Sequence, residues 1–204
     1  MAKKTFSISE ALNFGWKTAL KNYWFILISI LVAGVAASVP GIISERISED
    51  LPIFGLVFSI AGVVLGVVVE MGLIAVMLKF VDGKKPRLAD LFSTLPLFFN
   101  YVFASLLYGG VVVAGLIFFI VPGVVLALMM WPFSYLIVDK KLGALEALQK
   151  SADLTNGVRG QLFLFGLAVF GINLLGALPL LLGLLVTIPT TMLASAWVYR
   201  QLTK

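Results

Sequence analysis

The chain has 204 residues, of which 61% are hydrophobic and 12% are charged, and its mean hydropathy is +1.09. These values exclude a soluble domain and indicate that lipid is the solvent for most of the chain. The sequence contains no Cys and no His. Disulfides, thiolate chemistry, a Ser-His-Asp triad and a His-containing zinc site are therefore excluded. We expect no catalytic residue, no metal, no cofactor and no enzymatic activity.

The first predicted element is an amphipathic helix over residues 7–22. Ser7 followed by Glu10 is a capping box, which predicts where this helix begins. Its apolar stripe includes Ala11, Gly15 and Ala19, with charged residues opposite. Two apolar runs follow at residues 23–43 and 53–78, and each is long enough for a helix that crosses about 30 Å of hydrocarbon.

A second amphipathic segment covers residues 87–100 and precedes apolar runs at residues 98–119 and 123–138. The last of these runs has about 16 residues, or roughly 24 Å at 1.5 Å per residue, and Pro132 interrupts it. We expect this helix to be short, kinked or both.

The third amphipathic segment covers residues 142–156, and apolar runs follow at residues 162–178 and 180–199. All six runs are too long and continuous for the strands of an outer-membrane barrel. The predicted fold is an all-α membrane protein in a single domain (1–204), with six transmembrane helices as three hairpins. An interfacial amphipathic helix precedes each hairpin, which gives pseudo-repeats at about 7–78, 87–138 and 142–200.

The basic residues predict the orientation of these six spans. All lysines and arginines except Arg46 fall on the side that carries both termini, Lys3 and Lys4 included, so this side is predicted to be cytoplasmic in an inner or plasma membrane. The basic residues lie at helix ends and in short loops without an aromatic-interleaved patch, which argues against nucleic acid. Carboxylates such as Asp82, Asp90 and Asp139 are interpreted as solvated surface groups.

These basic residues also predict lipid contacts. Interfacial helices at residues 7–21, 88–95 and 142–154 would form a cytoplasmic collar, with their apolar sides in the acyl boundary. Anionic phospholipid is the expected partner because basic residues near the membrane surface attract it. The candidate contacts are Lys17, Lys21, Lys84, Lys85, Arg87, Lys140, Lys141, Lys150 and Arg159.

Glu70 is the one charged residue deep inside a predicted span. It lies nine residues before Lys79, or roughly 13 Å into the membrane. A carboxylate at that depth should be buried between helices, hydrogen-bonded and largely protonated. Depth matching nominates Tyr108, Trp131 and Ser134 as partners in an intramembrane polar site. A packing residue, a substrate or ion site, and a lipid-facing residue remain open as interpretations.

Four stretches resemble a known family. They are ALQKSADLTNGVRGQLFLFG at 147–166, FSISEALNFGWKTALKNYW at 6–24, GKKPRLADLF at 83–92 and VPG at 121–123. They are similar to bacterial membrane proteins grouped with the glycerophosphoryl diester phosphodiesterase membrane domain. The resemblance implies a six-span bundle without a known activity, here without the catalytic domain, which requires His.

Two functions follow from these observations. The first is a non-enzymatic protein that binds lipid or organises the membrane, alone or with a membrane protein partner or a second copy of itself. The alternative is a small transporter or channel with Glu70 in an intramembrane site. A continuous polar path that reaches Glu70 from both sides would favour the alternative.

Overall fold

A computed structural model describes residues 5–204, and helices are the only regular secondary structure in this part of the chain. Lys3 and Lys4, which the orientation argument used, lie outside the described residues. The elements are α1 (Ile8–Lys21), α2 (Tyr23–Ile47), α3 (Pro52–Val81), two 3-10 helices (Leu88–Phe92 and Leu95–Leu97), α4 (Phe98–Phe118), α5 (Ile120–Met130), α6 (Phe133–Lys140), α7 (Ala144–Leu154), α8 (Arg159–Ala177) and α9 (Leu184–Leu202).

Five helical segments of the described chain are long and apolar enough to cross a membrane. They are Tyr23–Ile47, Pro52–Val81, Leu88–Phe118, Ile120–Lys140 and Arg159–Ala177. The chain is therefore a multi-pass membrane protein in its composition and helix lengths. Helix α9 is not among the five. It carries hydroxyl residues such as Thr187, Thr190 and Thr191, and its neighbours bury much of its length.

The expected interruption at Pro132 is confirmed, because the fourth run forms two helices, α5 and α6, on either side of it. Proline has no N–H to continue the helical hydrogen bonds, so carbonyl groups at the end of α5 need other donors. The Thr155 hydroxyl supplies one by donating to the Met129 carbonyl oxygen at 2.9 Å. The next residue but one, Gly157, has a φ of +83°, which favours glycine. Thr155 and Gly157 belong to the Leu-Thr-Asn-Gly stretch that carries the family resemblance, and both therefore have structural roles.

Part of the α1 stripe predicted to lie in the acyl boundary contacts protein instead, although Trp16 and Leu20 of the same stripe are 48% and 50% exposed. Ala11, Gly15 and Ala19 are buried against protein, and a Cβ at Gly15 would overlap the Thr190 carbonyl oxygen of α9. Glu10 borders the same surface cavity as Gln201, so earlier residues of α1 meet later residues of α9. The two helices are therefore antiparallel. Small residues permit this close contact, which the stripe's apolar pattern alone does not distinguish from lipid contact.

The second amphipathic segment is also different from the expected interfacial α-helix. It forms two short 3-10 helices that run alongside α3, and Leu91 is fully buried where Gly72 leaves room for its backbone. Further on, the buried Thr94 hydroxyl donates to the Val68 carbonyl oxygen at 3.3 Å. A polar segment of the chain therefore reaches the depth of Glu70. Pro96 prevents a regular α-helix through this segment.

The third segment does form a helix, α7, but its stripe also contacts protein. Ala144, Ala147, Leu148 and Ser151 are buried, while Leu145 on the flank is exposed. This buried face packs against α4, α5 and α6. The apolar faces of all three segments therefore help to build the protein interior.

Most of the described core lies at the end of the molecule where α3, α6 and α9 finish, which we call the basic end. Met71, Val76, Ile137 and Tyr199 are among its fully buried members. Away from the basic end, α2 packs along α3 and α4 along α5, and long stretches of these helices are exposed. Groups that are held in fixed positions therefore concentrate at the basic end, where the candidate sites lie.

Candidate functional site

A cleft at the basic end is lined by three lysines. Lys21 comes from the end of α1, and Lys84 and Lys85 come from the loop after α3. Gly83, with a φ of +69°, turns this loop as α3 ends. The cleft has a volume of about 500 Å³.

The floor of this cleft is apolar and its rim is positive. The rings of Phe25 and Phe80 are in edge-to-face contact, with centroids 5.9 Å apart. Thr18 and Asn22 add a hydroxyl and an amide, and no carboxylate lines the cleft. Within residues 5–204, none of the three lysines forms an ion pair. This arrangement can hold an anion over an apolar surface.

The other predicted lipid contacts are dispersed. Lys17 and Lys150 are exposed on α1 and α7, and Arg87 lies exposed where its backbone N–H donates to Asp90. Lys140 is 3.5 Å from Asp139, and Lys141 borders a different cavity with Arg200. Arg159 is half-buried at the start of α8. Of the predicted contacts, only Lys21, Lys84 and Lys85 line a common cleft.

Glu70 is exposed, so the prediction that it lies buried between helices is wrong. The reason is local: the helices around it leave a cavity of about 350 Å³ that it borders. The Tyr101 hydroxyl donates to Glu70 Oε1 at 2.9 Å. The carboxylate therefore has one hydrogen-bond partner and an open side.

Depth matching did identify the right neighbourhood. Tyr108, Trp131 and Ser134 all line the Glu70 cavity, together with Tyr101, Ser105 and Phe133. The partner that bonds to Glu70, Tyr101, was missed. A signal for it exists, because residues 101, 105 and 108 share one face of a helix by their spacing. The hydroxyl of Tyr108 instead donates to the Ala127 carbonyl oxygen at 3.4 Å.

Sequence reasoning also missed an ion-pair cluster at the basic end. Arg200 of α9 contacts Asp82 at the end of α3 and Asp139 on α6. A second pair joins Lys79 Nζ to Asp90 Oδ1 at 2.7 Å. The interpretation of these carboxylates as separate solvated groups is therefore wrong. Their partners are distant in sequence, so no local pattern indicates the pairs.

Comparison with known proteins gives a family and no closer relative. No curated protein matches the chain, and no solved structure matches it. One family model matches residues 100–204, which is about half of the chain and extends from the first turn of α4 through α9. The chain therefore belongs to the family described as protein of unknown function (DUF975).

Proposed function

We propose that this protein is a non-enzymatic, six-span protein of an inner or plasma membrane that binds anionic phospholipid at its cytoplasmic, basic end. The observation that carries the proposal is the cleft formed by Lys21, Lys84 and Lys85. Three ammonium groups without a carboxylate among the lining residues favour a phosphate-bearing ligand.

The surroundings of the cleft favour a lipid over a free anion. Phe25 and Phe80 provide an apolar floor, and Trp24 and Ile28 on the adjoining turns of α2 are exposed. Tryptophan at such a position is typical of the boundary between headgroups and acyl chains. A phosphate near the lysines and an acyl chain along α2 would use both parts of this surface.

The six-span topology, with α9 as the sixth span, is part of the same proposal. Its three hairpins consist of α2 and α3, of α4 with α5 and α6, and of α8 and α9. It is supported by the asymmetric distribution of the basic residues, because Arg46, in the last turn of α2, is the only one predicted on the opposite side. The relation to the membrane domain of glycerophosphoryl diester phosphodiesterases remains a proposal supported by residues 147–166.

Lipid retention tests the cleft. Protein purified from a mixture of phosphatidylglycerol and digalactosyldiacylglycerol, an uncharged lipid without an ammonium group, should retain the anionic lipid preferentially, as measured by native mass spectrometry. Each lysine near an anionic surface contributes about 1 kcal/mol, so replacing Lys21, Lys84 and Lys85 by Gln should reduce this preference about tenfold or more.

The matched control is a triple replacement by Gln at Lys17, Lys150 and Lys204, which removes the same charge from exposed positions outside the cleft. It should keep most of the preference. An equal loss in both triple variants would show that the lipid contact is a diffuse basic surface. Equal retention of the two lipids by the unchanged protein would remove the proposal.

The second candidate function is a small transporter, which the cavity at Glu70 favours. Transport requires access to this cavity from both sides of the membrane. Single cysteines at Ser105 and Ser134, which line the cavity, test this requirement in a chain without native Cys. Reaction with a membrane-impermeant thiol reagent from both sides would support transport, and reaction from one side alone would contradict it.

A further inference from the structure

The cavity at Glu70 combines one carboxylate with aromatic rings. It is lined by Glu70, Tyr101, Tyr108, Trp131, Phe133 and two serines, and its volume of about 350 Å³ is within the range of small-ligand sites. The rings come from two places. Tyr101 and Tyr108 lie one above the other on α4, and Trp131 and Phe133 lie on either side of the helix break at Pro132.

The rings are held in a defined arrangement. The centroid of Phe133 is 5.9 Å from that of Tyr101 and 5.1 Å from that of Tyr108, and both tyrosine rings are tilted by less than 40° against it. The hydroxyls of both tyrosines donate to fixed acceptors, Glu70 Oε1 and the Ala127 carbonyl oxygen. A preformed wall of three rings therefore flanks the carboxylate.

Glu70 has no basic partner within the described part of the chain. No lysine or arginine among residues 5–204 lies within 4.0 Å of it. The other polar groups that line the cavity are hydroxyls and the Trp131 indole. Without a cationic partner, a carboxyl group near hydrocarbon is expected to be protonated, whereas a cation that enters the cavity would stabilise the carboxylate, so the cavity favours a positively charged ligand.

The lining distinguishes between kinds of cation. Calcium and magnesium need several oxygen ligands, and a single carboxylate surrounded by rings does not supply them. An organic ammonium group instead gains from aromatic faces as well as from a carboxylate, and aromatic cages are the usual protein sites for it. We propose that the Glu70 cavity binds an organic ammonium group, with Glu70 as its counter-charge and with this wall of three rings, together with Trp131, around it.

Choline and its neutral isostere 3,3-dimethyl-1-butanol test this proposal directly. Both fill the same space, but only choline carries the charge. Isothermal titration of the purified protein, in a detergent without an amine, should show saturable binding of choline and binding of the isostere weaker by about tenfold or more. Equal affinities for the two compounds would overturn the proposal.

Variants assign the binding to this cavity. Glu70→Gln retains an acceptor for the Tyr101 hydroxyl and should weaken choline binding about tenfold, whereas Glu45→Gln, at an exposed position in the last turn of α2, should leave it unchanged. Trp131→Leu should also weaken it. If Glu70→Gln lowers the thermal unfolding midpoint, its loss of binding could reflect unfolding, and Trp131→Leu then tests whether choline binds in this cavity. Unchanged choline binding in a folded Glu70→Gln or Trp131→Leu variant would overturn the proposal.

The ammonium group can belong to a free amine or to a lipid headgroup. Nanodiscs of phosphatidylglycerol alone and nanodiscs that also contain phosphatidylcholine distinguish these sources. Choline binding that falls in the second set identifies the headgroup, and unchanged binding identifies a free amine; both results support the ammonium site. The variant with Gln at Lys21, Lys84 and Lys85 should bind choline normally, so this inference and the proposed lipid cleft fail independently.

Discussion

Arg200 Nη1 lies 2.7 Å from Asp139 Oδ2, and the other nitrogens of the same guanidinium hold both oxygens of Asp82 at 2.8 Å. The Tyr199 hydroxyl also donates to Asp139 at 2.9 Å. One arginine on α9 thus joins the ends of α3 and α6. Such bidentate, charge-assisted contacts are stronger than those of a lysine would be.

Replacing Arg200 by Gln should lower the free energy of unfolding by about 2 kcal/mol, because two carboxylates would lose their partner in a partly buried site. The side chains of Arg200, Asp82 and Asp139 are 18%, 27% and 13% exposed, so water screens these pairs only in part. Arg200→Lys should give an intermediate loss. Denaturant unfolding in detergent measures these changes, with the exposed Arg46→Gln as control; a loss no larger than that control's would contradict the structural role.

Gly15→Ala should destabilise the contact between α1 and α9. The added Cβ would overlap the Thr190 carbonyl oxygen, which is backbone and cannot move without shifting α9. Overpacking of this kind costs about 1–3 kcal/mol. Gly34→Ala on α2 is the matched control, since a Cβ there meets nothing within 4 Å. It should be neutral or slightly stabilising, and equal unfolding midpoints for the two variants would argue against the close approach.

The sequence predicts the helices of this fold better than their contacts. Runs of about 20 apolar residues are a physical requirement for crossing hydrocarbon, and α2, α3, α4 and α8 begin and end within a few residues of such runs. Proline's missing N–H likewise made the break at Pro132 predictable. These features depend on local chemistry, which a single sequence contains in full.

The sites depend on contacts that a single sequence does not contain. Arg200 and Asp82 are separated by 118 residues, and no periodicity connects them. The stripe of Ala11, Gly15 and Ala19 is equally compatible with lipid and with another helix, and the structure places it on α9. Glu70 is exposed because α3, α4 and α6 do not pack closely around it. The position of a residue within its apolar run gives its depth in the membrane, but it does not indicate which other side chains surround that residue.

The proposed topology predicts opposite labelling of two introduced cysteines. Ser48 lies in the acidic connection between α2 and α3, and Thr203 follows α9. In intact cells a membrane-impermeant maleimide should label Ser48→Cys, whereas Thr203→Cys should react only after the membrane is permeabilised. The absence of native Cys keeps the background low. Labelling of both positions from outside would contradict cytoplasmic termini and an even number of crossings.

The turns between α4 and α5 and between α8 and α9 are apolar, unlike the acidic connection between α2 and α3. Phe119 and Ile120 at the first turn are 72% and 75% exposed, and Leu180 at the second is 88% exposed. Helix α3 has 30 residues, whereas α8 and α9 have 19 each, which gives about 45 Å against roughly 28 Å at 1.5 Å per residue. In the proposed topology the shorter helices would therefore bring their apolar turn only to the far edge of the hydrocarbon.

These apolar turns should remain among acyl chains, and most backbone N–H groups of the second turn already have partners within the protein. In lipid every backbone N–H needs a partner within the protein. Leu180, Leu181 and Leu182 donate to carbonyl oxygens of Leu178, Ala177 and Pro179, and Pro179 has no N–H to satisfy. Nitroxide labels on single cysteines at Phe119 and Leu181 should collide more often with oxygen, which concentrates in hydrocarbon, than with a water-soluble nickel chelate. A label at Ser48 should show the reverse preference, and nickel accessibility at Leu181 equal to that at Ser48 would show that the turn emerges into water.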